Sequence, residues 1–350
     1  MYIYGIWASS RRVIASITQY ATFCHSSRLA AYEWSSATGF GTVNLAPTPP
    51  IAANKIDFRP QMDVLSVAFG GTPFLNAYAF SNSGFGTRFS DPSPTPTASG
   101  GGGISTKFSP SGNDVALVNG GSPFVNVYSW SGGFGTRYSN PATLPTDSST
   151  NVNFSPSENA IAITQFVAPF INAYPWTAGT GFGTRYSNPS TPITGLNAAR
   201  SVAWSPSGNV ISVGSDTSAR IQNYAWTSAT GFGTRYANPS PIPGGEVRGL
   251  EFNTAGNAIL MALAASPRLT AYRWSDATGW GTVYTNPSPV PATAATDCAF
   301  SSANDAVFVS TTGTPYTNAY AWSNTTGFGT KYSDPASLAI NAANGVAFRG

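Results

Sequence analysis

The chain has 350 residues, 41% hydrophobic and 13% aromatic, which is enough apolar material for a core and excludes a disordered chain. Only 9% of the residues are charged, and the net charge of +3 comes from 17 basic and 14 acidic residues spread without runs, so nucleic acid is not an expected partner. No stretch reaches the roughly 18 apolar residues of a membrane span. The start of the chain shows no signal peptide, so we expect no membrane insertion and no export.

A repeat dominates the sequence. Gly-aromatic-Gly-Thr occurs seven times, at 39–42, 84–87, 133–136, 181–184, 231–234, 279–282 and 327–330. A period of 45 to 50 residues is typical of solenoids and propellers. A Tyr-x-aromatic pair precedes every copy: Tyr32/Trp34, Tyr78/Phe80, Tyr128/Trp130, Tyr174/Trp176, Tyr224/Trp226, Tyr272/Trp274 and Tyr320/Trp322.

Each unit predicts four short strands, because its apolar residues alternate with a period of two. The first strand, for example 201–204, is followed by a Ser-Pro-Ser-Gly turn at 205–208. A second strand follows, and the third carries the Tyr-x-Trp pair on one face, where it should pack against the neighbouring blade. The fourth strand follows a Gly-aromatic-Gly turn and ends at Asn-Pro or Asp-Pro, since proline lacks a donor.

These units predict an all-β fold: a seven-bladed β-propeller of four-stranded antiparallel blades, forming a single domain over residues 1–350, with a linear β-solenoid as the alternative. Residues 345–350 repeat the first-strand motif, so we expect them to close the ring by completing the first blade. The segment 4–7 is the other candidate for that place. Residues 20–28 of the first blade are predicted to be a loop insertion, where function often lies.

The order of strand, Ser-Pro-Ser-Gly turn and strand ending in Trp resembles WD-repeat propellers, although the Asp after Trp and the Gly-His pair of that family are missing. The signature Tyr-x-Trp-Ser, Gly-Phe-Gly-Thr and Pro is more similar to uncharacterised propeller-repeat proteins of tailed bacteriophages. That resemblance implies a component of the virion, made in the host cytoplasm, whose partners are other virion proteins.

Groups that could perform catalysis are scarce, so the sequence predicts no enzyme, no cofactor and no metal site. His25 is the sole histidine, and Cys24 beside it offers the alternative of a metal or nucleophile site. Asp57 and Glu251 precede the aromatic residue that ends the first strand. Other units carry different residues at that position, namely Lys107, Asn153, Ala203 and Ala299, so no metal-binding cage repeats.

Two rings of repeated residues are candidates for contacts with partners. The candidate interaction rim is the set of basic residues after Gly-aromatic-Gly-Thr: Arg88, Arg137, Arg185, Arg235 and Lys331. It could meet an acidic partner. The candidate loop contacts are the aromatic residues between the two glycines: Phe40, Phe85, Phe134, Phe182, Phe232, Trp280 and Phe328. Their predicted place in a turn would leave them partly exposed to a neighbouring protein.

Three functions are therefore open. The first is a non-enzymatic structural or adhesion component of a phage virion, associated with the tail or decorating the capsid. The second is a lectin-like propeller that binds host surface polysaccharide in shallow sites between blades. The third is an enzyme that uses the central channel, which requires acids and a histidine to meet at one mouth of that channel.

Overall fold

Seven four-stranded antiparallel sheets contain all 28 strands of the residues that the computed structural model describes, namely 18–47, 52–97, 101–191, 193, 197–216, 219–337 and 341–350. These described residues contain no helix, and therefore no helix that is long and apolar enough to cross a membrane. The predicted all-β, seven-bladed propeller is confirmed.

The strands are grouped below by blade. Blade 1 contains β1 (Gln19–His25), β2 (Arg28–Ser35), β3 (Gly39–Leu45) and β28 (Ala343–Arg349). Blade 2 contains β4 (Ala53–Phe58), β5 (Val64–Phe69), β6 (Leu75–Ser81) and β7 (Gly84–Arg88); blade 3 contains β8 (Gly103–Phe108), β9 (Asp114–Asn119), β10 (Val125–Trp130) and β11 (Phe134–Arg137). Blade 4 contains β12 (Ser149–Phe154), β13 (Ala160–Gln165), β14 (Ile171–Thr177) and β15 (Gly181–Phe182); blade 5 contains β16 (Ala199–Trp204), β17 (Val210–Ser215), β18 (Ile221–Thr227) and β19 (Gly231–Arg235). Blade 6 contains β20 (Val247–Phe252), β21 (Ala258–Leu263), β22 (Leu269–Ser275) and β23 (Gly279–Val283); blade 7 contains β24 (Ala295–Phe300), β25 (Ala306–Thr311), β26 (Thr317–Ser323) and β27 (Gly327–Lys331).

The ring closes in blade 1 as predicted. Strand β28 pairs antiparallel with β1 and supplies the innermost strand of that blade. It begins two residues earlier than the sequence suggested, at Ala343. The alternative closing segment, 4–7, lies outside the described residues. The strands of blade 1 come from both ends of the described chain, so their pairing closes the ring. Closure of this kind leaves no free sheet edge between the first and last blades.

The predicted loop insertion at 20–28 is wrong. Residues Tyr20 to His25 are in β1, and a two-residue turn at 26–27 leads directly into β2. The segment has no Gly or Pro to interrupt a strand, and its side chains are all buried. The other six blades have five residues between their second and third strands, with a proline in every blade except blade 5. Because blade 1 has only a two-residue turn there, its strand was mistaken for inserted residues.

The aromatic pair of the third strand lies in the core between blades, as predicted. One cluster joins Ala203, Val210 and Ile221 of blade 5 to Phe252 and Trp274 of blade 6. The third-strand tyrosines also reach the connection that leads into their blade through their hydroxyl groups, for example from Tyr128 Oη to the Pro94 carbonyl oxygen at 2.6 Å. The aromatic pair buries a large apolar area, and the tyrosine hydroxyl group finds a hydrogen-bond acceptor. These two requirements explain why every blade keeps aromatic residues at both positions.

The Gly-aromatic-Gly segment is the start of the fourth strand and not a turn, which corrects the predicted position of the loop contacts. Gly231 shows why the first glycine is needed, because its φ of 79° lies in the left-handed region. The aromatic residue that follows packs edge-to-face on the third-strand aromatic of its own blade. The ring centroids are 5.1 Å apart for Trp226 and Phe232 and 5.0 Å for Trp274 and Trp280. Intramolecular packing thus accounts for these rings, and their contact with a partner stays a prediction.

Candidate active site in the central channel

The seven innermost strands surround the central channel, and each contributes six equivalent positions. The third positions are Lys55, Ser105, Asn151, Ser201, Gly249, Asp297 and Gly345; the fifth are Asp57, Lys107, Asn153, Ala203, Glu251, Ala299 and Ala347. Side chains two residues apart on a strand point to the same side, and all seven fifth positions line the channel together with four of the third positions, namely Lys55, Ser105, Asn151 and Asp297. A cavity of about 410 Å³ occupies this part of the channel, up to the aromatic residues that end the inner strands.

Two lysines and three carboxylates meet in this cavity. Lys107 Nζ lies 2.6 Å from Asp57 Oδ1 in the neighbouring blade. Lys55 Nζ lies 2.8 Å from Asp297 Oδ2, although blade 1 stands between their blades. The third position of blade 1 is Gly345, where an added Cβ would lie 3.0 Å from Cys24 Sγ and 3.2 Å from Lys55 Cα, so glycine lets β28 pack closely against the innermost strand of blade 2.

Backbone hydrogen bonds fix the carboxylates. Asp57 Oδ2 accepts the Phe108 N–H at 2.8 Å, and Glu251 Oε2 accepts the Phe300 N–H at 2.6 Å. In both cases the donor belongs to the innermost strand of the next blade. The carboxylates are therefore held in defined positions, and they also join consecutive blades.

Glu251 differs from the other two channel carboxylates. Among the described residues, no lysine or arginine forms a salt bridge with it, and its one hydrogen bond leaves the other carboxylate oxygen open. Burial in the channel wall raises its pKa to about 7, although the Phe300 N–H and the charge of Lys107 act against this shift. A carboxylate with a pKa near neutrality can both accept and return a proton at physiological pH.

Lys107 is the channel cation that could stabilise negative charge near Glu251. Burial lowers the pKa of its ammonium group, but the charge of Asp57 and the hydrogen bond to it outweigh that effect and raise the pKa overall. Glu251 and Asp297 raise it further. Lys107 is therefore positively charged and is close enough to interact with Glu251 across the cavity.

The predicted Cys24–His25 site is not a reactive centre. Both side chains are buried in β1, and burial raises the pKa of the Cys24 thiol to about 12. Burial lowers the pKa of His25 to about 4, and its Nδ1 lies 3.1 Å from the Asn341 carbonyl oxygen. Cys298 is also buried, with a pKa raised well above its usual range. A thiol that stays protonated is a poor nucleophile.

The candidate interaction rim lies on the outer edge of the blades, far from the channel in the strand order. Its members bond to polar side chains nearby: Arg137 and Arg235 donate to Asn140 and Asn238 at 2.9 and 2.6 Å, Arg88 and Lys331 form salt bridges with Asp91 and Asp334, and Arg185 donates to Asn172. In four of the five cases the partner is thus the Asn or Asp that precedes Pro at the end of the fourth strand. A role of the rim in binding stays a prediction.

Sequence reasoning identified part of the channel cluster and missed the rest. It compared the residues at the fifth position, which include Asp57, Lys107 and Glu251, but not those at the third. The comparison two residues upstream would have found Lys55 and Asp297. No group of three or more His, Cys, Asp or Glu side chains in the described ranges is arranged to hold a metal ion. Two of the three channel carboxylates are instead neutralised by lysines.

Solved structures share the fold over nearly the whole chain. The periplasmic gluconolactonase of Pseudomonas aeruginosa has a TM-score of 0.70 and 14% identity, covering 95% of this chain and 99% of that chain. A proposed 6-phosphogluconolactonase of Bacteroides fragilis has a TM-score of 0.70 and 10% identity, covering 96% and 99%. A functionally unknown protein of Desulfotomaculum acetoxidans has a TM-score of 0.66 and 13% identity, covering 94% and 98%.

Neither a family model nor a curated protein sequence matches the chain. The likeness to solved structures, at these identities, shows the propeller fold. The prediction of a non-enzymatic virion component, with its lectin alternative, is wrong, because the named structural neighbours are lactonases and none of those described here is a phage protein. The prediction that the chain is not an enzyme is contradicted on the same ground, because these neighbours are named as lactonases.

Proposed function

We propose that the protein is a hydrolase that opens a sugar lactone in the central channel, with Glu251 as the general base. The observation that carries the proposal is the environment of Glu251: a half-buried carboxylate with a pKa of about 7, no salt bridge among the described residues, and a place in the wall of a cavity of about 410 Å³. The names of the structural neighbours, a gluconolactonase and proposed 6-phosphogluconolactonases, supply the substrate class.

The chemistry needs only groups that line the cavity. Glu251 in its ionised form takes a proton from water, and the water oxygen forms a bond to the lactone carbonyl carbon. The bond between that carbon and the ring oxygen then breaks. The proton held by Glu251 passes to the departing ring oxygen, which yields a hydroxy-carboxylic acid that ionises in solution. Lys107 places a positive charge where negative charge develops on the carbonyl oxygen.

A base with this pKa predicts the pH dependence of the reaction. The rate constant kcat/KM rises with pH up to about 7 and is level above it, since the ionised form of Glu251 is the active one. Spontaneous hydrolysis of the lactone, measured without protein at each pH, is subtracted.

The test is hydrolysis of gluconolactone and of its 6-phosphate by the wild-type protein and two variants, followed by acid release in a pH-stat. Glu251→Gln keeps the acceptor for the Phe300 N–H but cannot take a proton, so we expect a loss of at least about a hundredfold in kcat. The matched control Glu33→Gln changes an exposed acid and should leave kcat unchanged. Absence of hydrolysis above the spontaneous rate, or full activity of Glu251→Gln, would overturn the proposal.

A further inference from the structure

A second cavity, of about 430 Å³, lies at the mouth of the channel where the innermost strands begin. The second positions of those strands surround it. Five are uncharged, namely Asn54, Ile104, Thr150, Thr296 and Asn344, and the other two, in the adjacent blades 5 and 6, are Arg200 and Arg248. The two arginines thus place positively charged side chains on one side of this mouth, whereas the other second positions are uncharged.

One carboxylate and one aromatic ring fix the two guanidinium groups. Arg200 Nε lies 2.7 Å from Glu246 Oε1, and Arg248 Nη2 lies 3.0 Å from Glu246 Oε2, so Glu246 bridges the pair. The guanidinium carbon of Arg200 is 4.9 Å from the centroid of the Phe166 ring. A guanidinium group that is already oriented loses less entropy when it binds a ligand.

The donors of Arg200 are not used up by these contacts. Its 2.7 Å contact with Glu246 is an ion pair that does not align as a hydrogen bond, and the buried Nε has no hydrogen-bond partner among the residues that the structure describes. Asp216 is 4.0 Å from Nη2, and its Oδ1 already accepts the N–H groups of Asn197 and Ala198. Arg200 and Arg248 side chains are 32% and 35% exposed, so they remain accessible from the cavity.

We propose that Arg200 and Arg248 together bind a small oxyanion, a carboxylate or a phosphate group, at this mouth of the channel. Arg248 donates through Nε to Glu246 Oε2 at 3.0 Å and pairs with the same oxygen through Nη2, so within the described part of the chain its Nη1 and the Nη groups of Arg200 are the donors left for a ligand. Two neighbouring guanidinium groups match the geometry of such an anion, which accepts paired hydrogen bonds. Lys55 also lines this cavity, but its Nζ is engaged by Asp297 at 2.8 Å and by the Thr296 carbonyl oxygen at 3.2 Å. The site lies nearer the start of the innermost strands than Glu251, and its cavity adjoins the Glu251 cavity at Lys55. The proposal does not depend on the lactone chemistry.

The test is titration of the full chain at low ionic strength with sodium phosphate and, separately, with sodium acetate, observed through the arginine Nε–H signals of protein labelled with ¹⁵N-arginine. We expect saturable shifts of two arginine signals. Arg200→Gln and Arg248→Gln should each remove one of the two signals and weaken binding by about tenfold or more. The anion that saturates at lower concentration distinguishes phosphate from carboxylate recognition.

The matched control is Arg235→Gln, which removes an arginine of the outer rim and should leave the affinity unchanged. Circular dichroism of each variant verifies the fold, and a variant that does not fold is replaced by the corresponding lysine variant, which keeps the charge but loses the paired donors. Non-saturable shifts, equal shifts of all arginine signals, or unchanged affinity in both Arg200→Gln and Arg248→Gln would overturn the proposal.

Discussion

The outer aromatic layer and the channel lining of this propeller follow opposite rules. In the aromatic layer every blade repeats the same arrangement, with a third-strand ring packed edge-to-face on a fourth-strand ring. In the channel lining, equivalent positions carry acids, lysines, amides, alanines and glycines. Repetition therefore indicates the packing that builds the ring, whereas departure from repetition indicates where the chain can perform chemistry.

Loss of one ring from the aromatic layer should have the largest effect on stability. Trp226 is buried and contacts Tyr186, Trp204 and Phe232 at centroid distances of 5.0, 5.5 and 5.1 Å. We expect Trp226→Ala to lower the free energy of unfolding by about 3–5 kcal/mol, measured by urea denaturation.

Trp226→Phe is the matched variant, because blade 2 carries Phe80 at the equivalent position and the Trp226 indole N–H has no hydrogen-bond partner in the described part of the chain. It should cost about 1–2 kcal/mol, mostly from lost volume. Equal losses for the alanine and phenylalanine variants would contradict the view that edge-to-face packing is what this layer supplies.

In the channel, Glu251→Gln should stabilise the protein and not weaken it. The folded state raises the Glu251 pKa from 4.5 to about 7, so the folded protein binds this proton more tightly than the unfolded chain does. Wild-type stability therefore falls as the pH rises through this window, while the variant lacks that loss. We expect the variant to be more stable by about 2 kcal/mol at pH 8 and equal to the wild type at pH 4, by urea denaturation at both pH values.

His25 should give the opposite pH dependence. Its pKa is lowered from 6.5 to about 4, so the folded state holds the neutral ring and stability is lost as the pH falls through this window. His25→Asn keeps a donor for the Asn341 carbonyl oxygen and cannot become charged. We expect the variant to lose about 1–2 kcal/mol less than the wild type between pH 7 and pH 4. Parallel curves of stability against pH would show that folding does not lower the pKa of His25, which would contradict the prediction.

The smallest effect is expected at the rim. Arg235 is on the outermost strand of its blade and donates to the Asn238 side chain, and none of the described residues accepts a hydrogen bond from its Nε. Arg235→Gln should change the free energy of unfolding by less than about 0.5 kcal/mol. A loss above 1 kcal/mol would place the rim with the aromatic layer instead of with the solvated surface.

The sequence was sufficient for the fold because the repeated residues act locally. Period-two alternation defines the strands, and the recurrence of Tyr-x-Trp and Gly-aromatic-Gly defines the blades. The first blade was harder to interpret, because the strand Tyr20 to His25 is followed by a two-residue turn and lacks the longer turn, with proline in five blades, that marks the end of the second strand elsewhere.

The candidate site could be predicted only in part. Glu251 and Asp57 were recognised as deviations from the repeat, but whether they face one cavity depends on how the ring closes. Lys55 and Asp297 belong to blades 2 and 7 and meet across blade 1, which only the closure of the ring by β28 brings about. The raised pKa of Glu251 arises from burial by several blades together, which no single repeat unit reveals.

The closure of blade 1 has a consequence for how the molecule is made. Blades 2 to 7 are each built from one continuous stretch of chain and can fold as they leave the ribosome. Blade 1 is complete only after residues 343–349 have been synthesised. Until then β1 has an open edge, and the inner strands on either side of the gap, β4 and β24, lack a neighbour. A nascent chain stalled at this stage exposes unpaired strand edges, the surface through which β proteins exchange strands or aggregate.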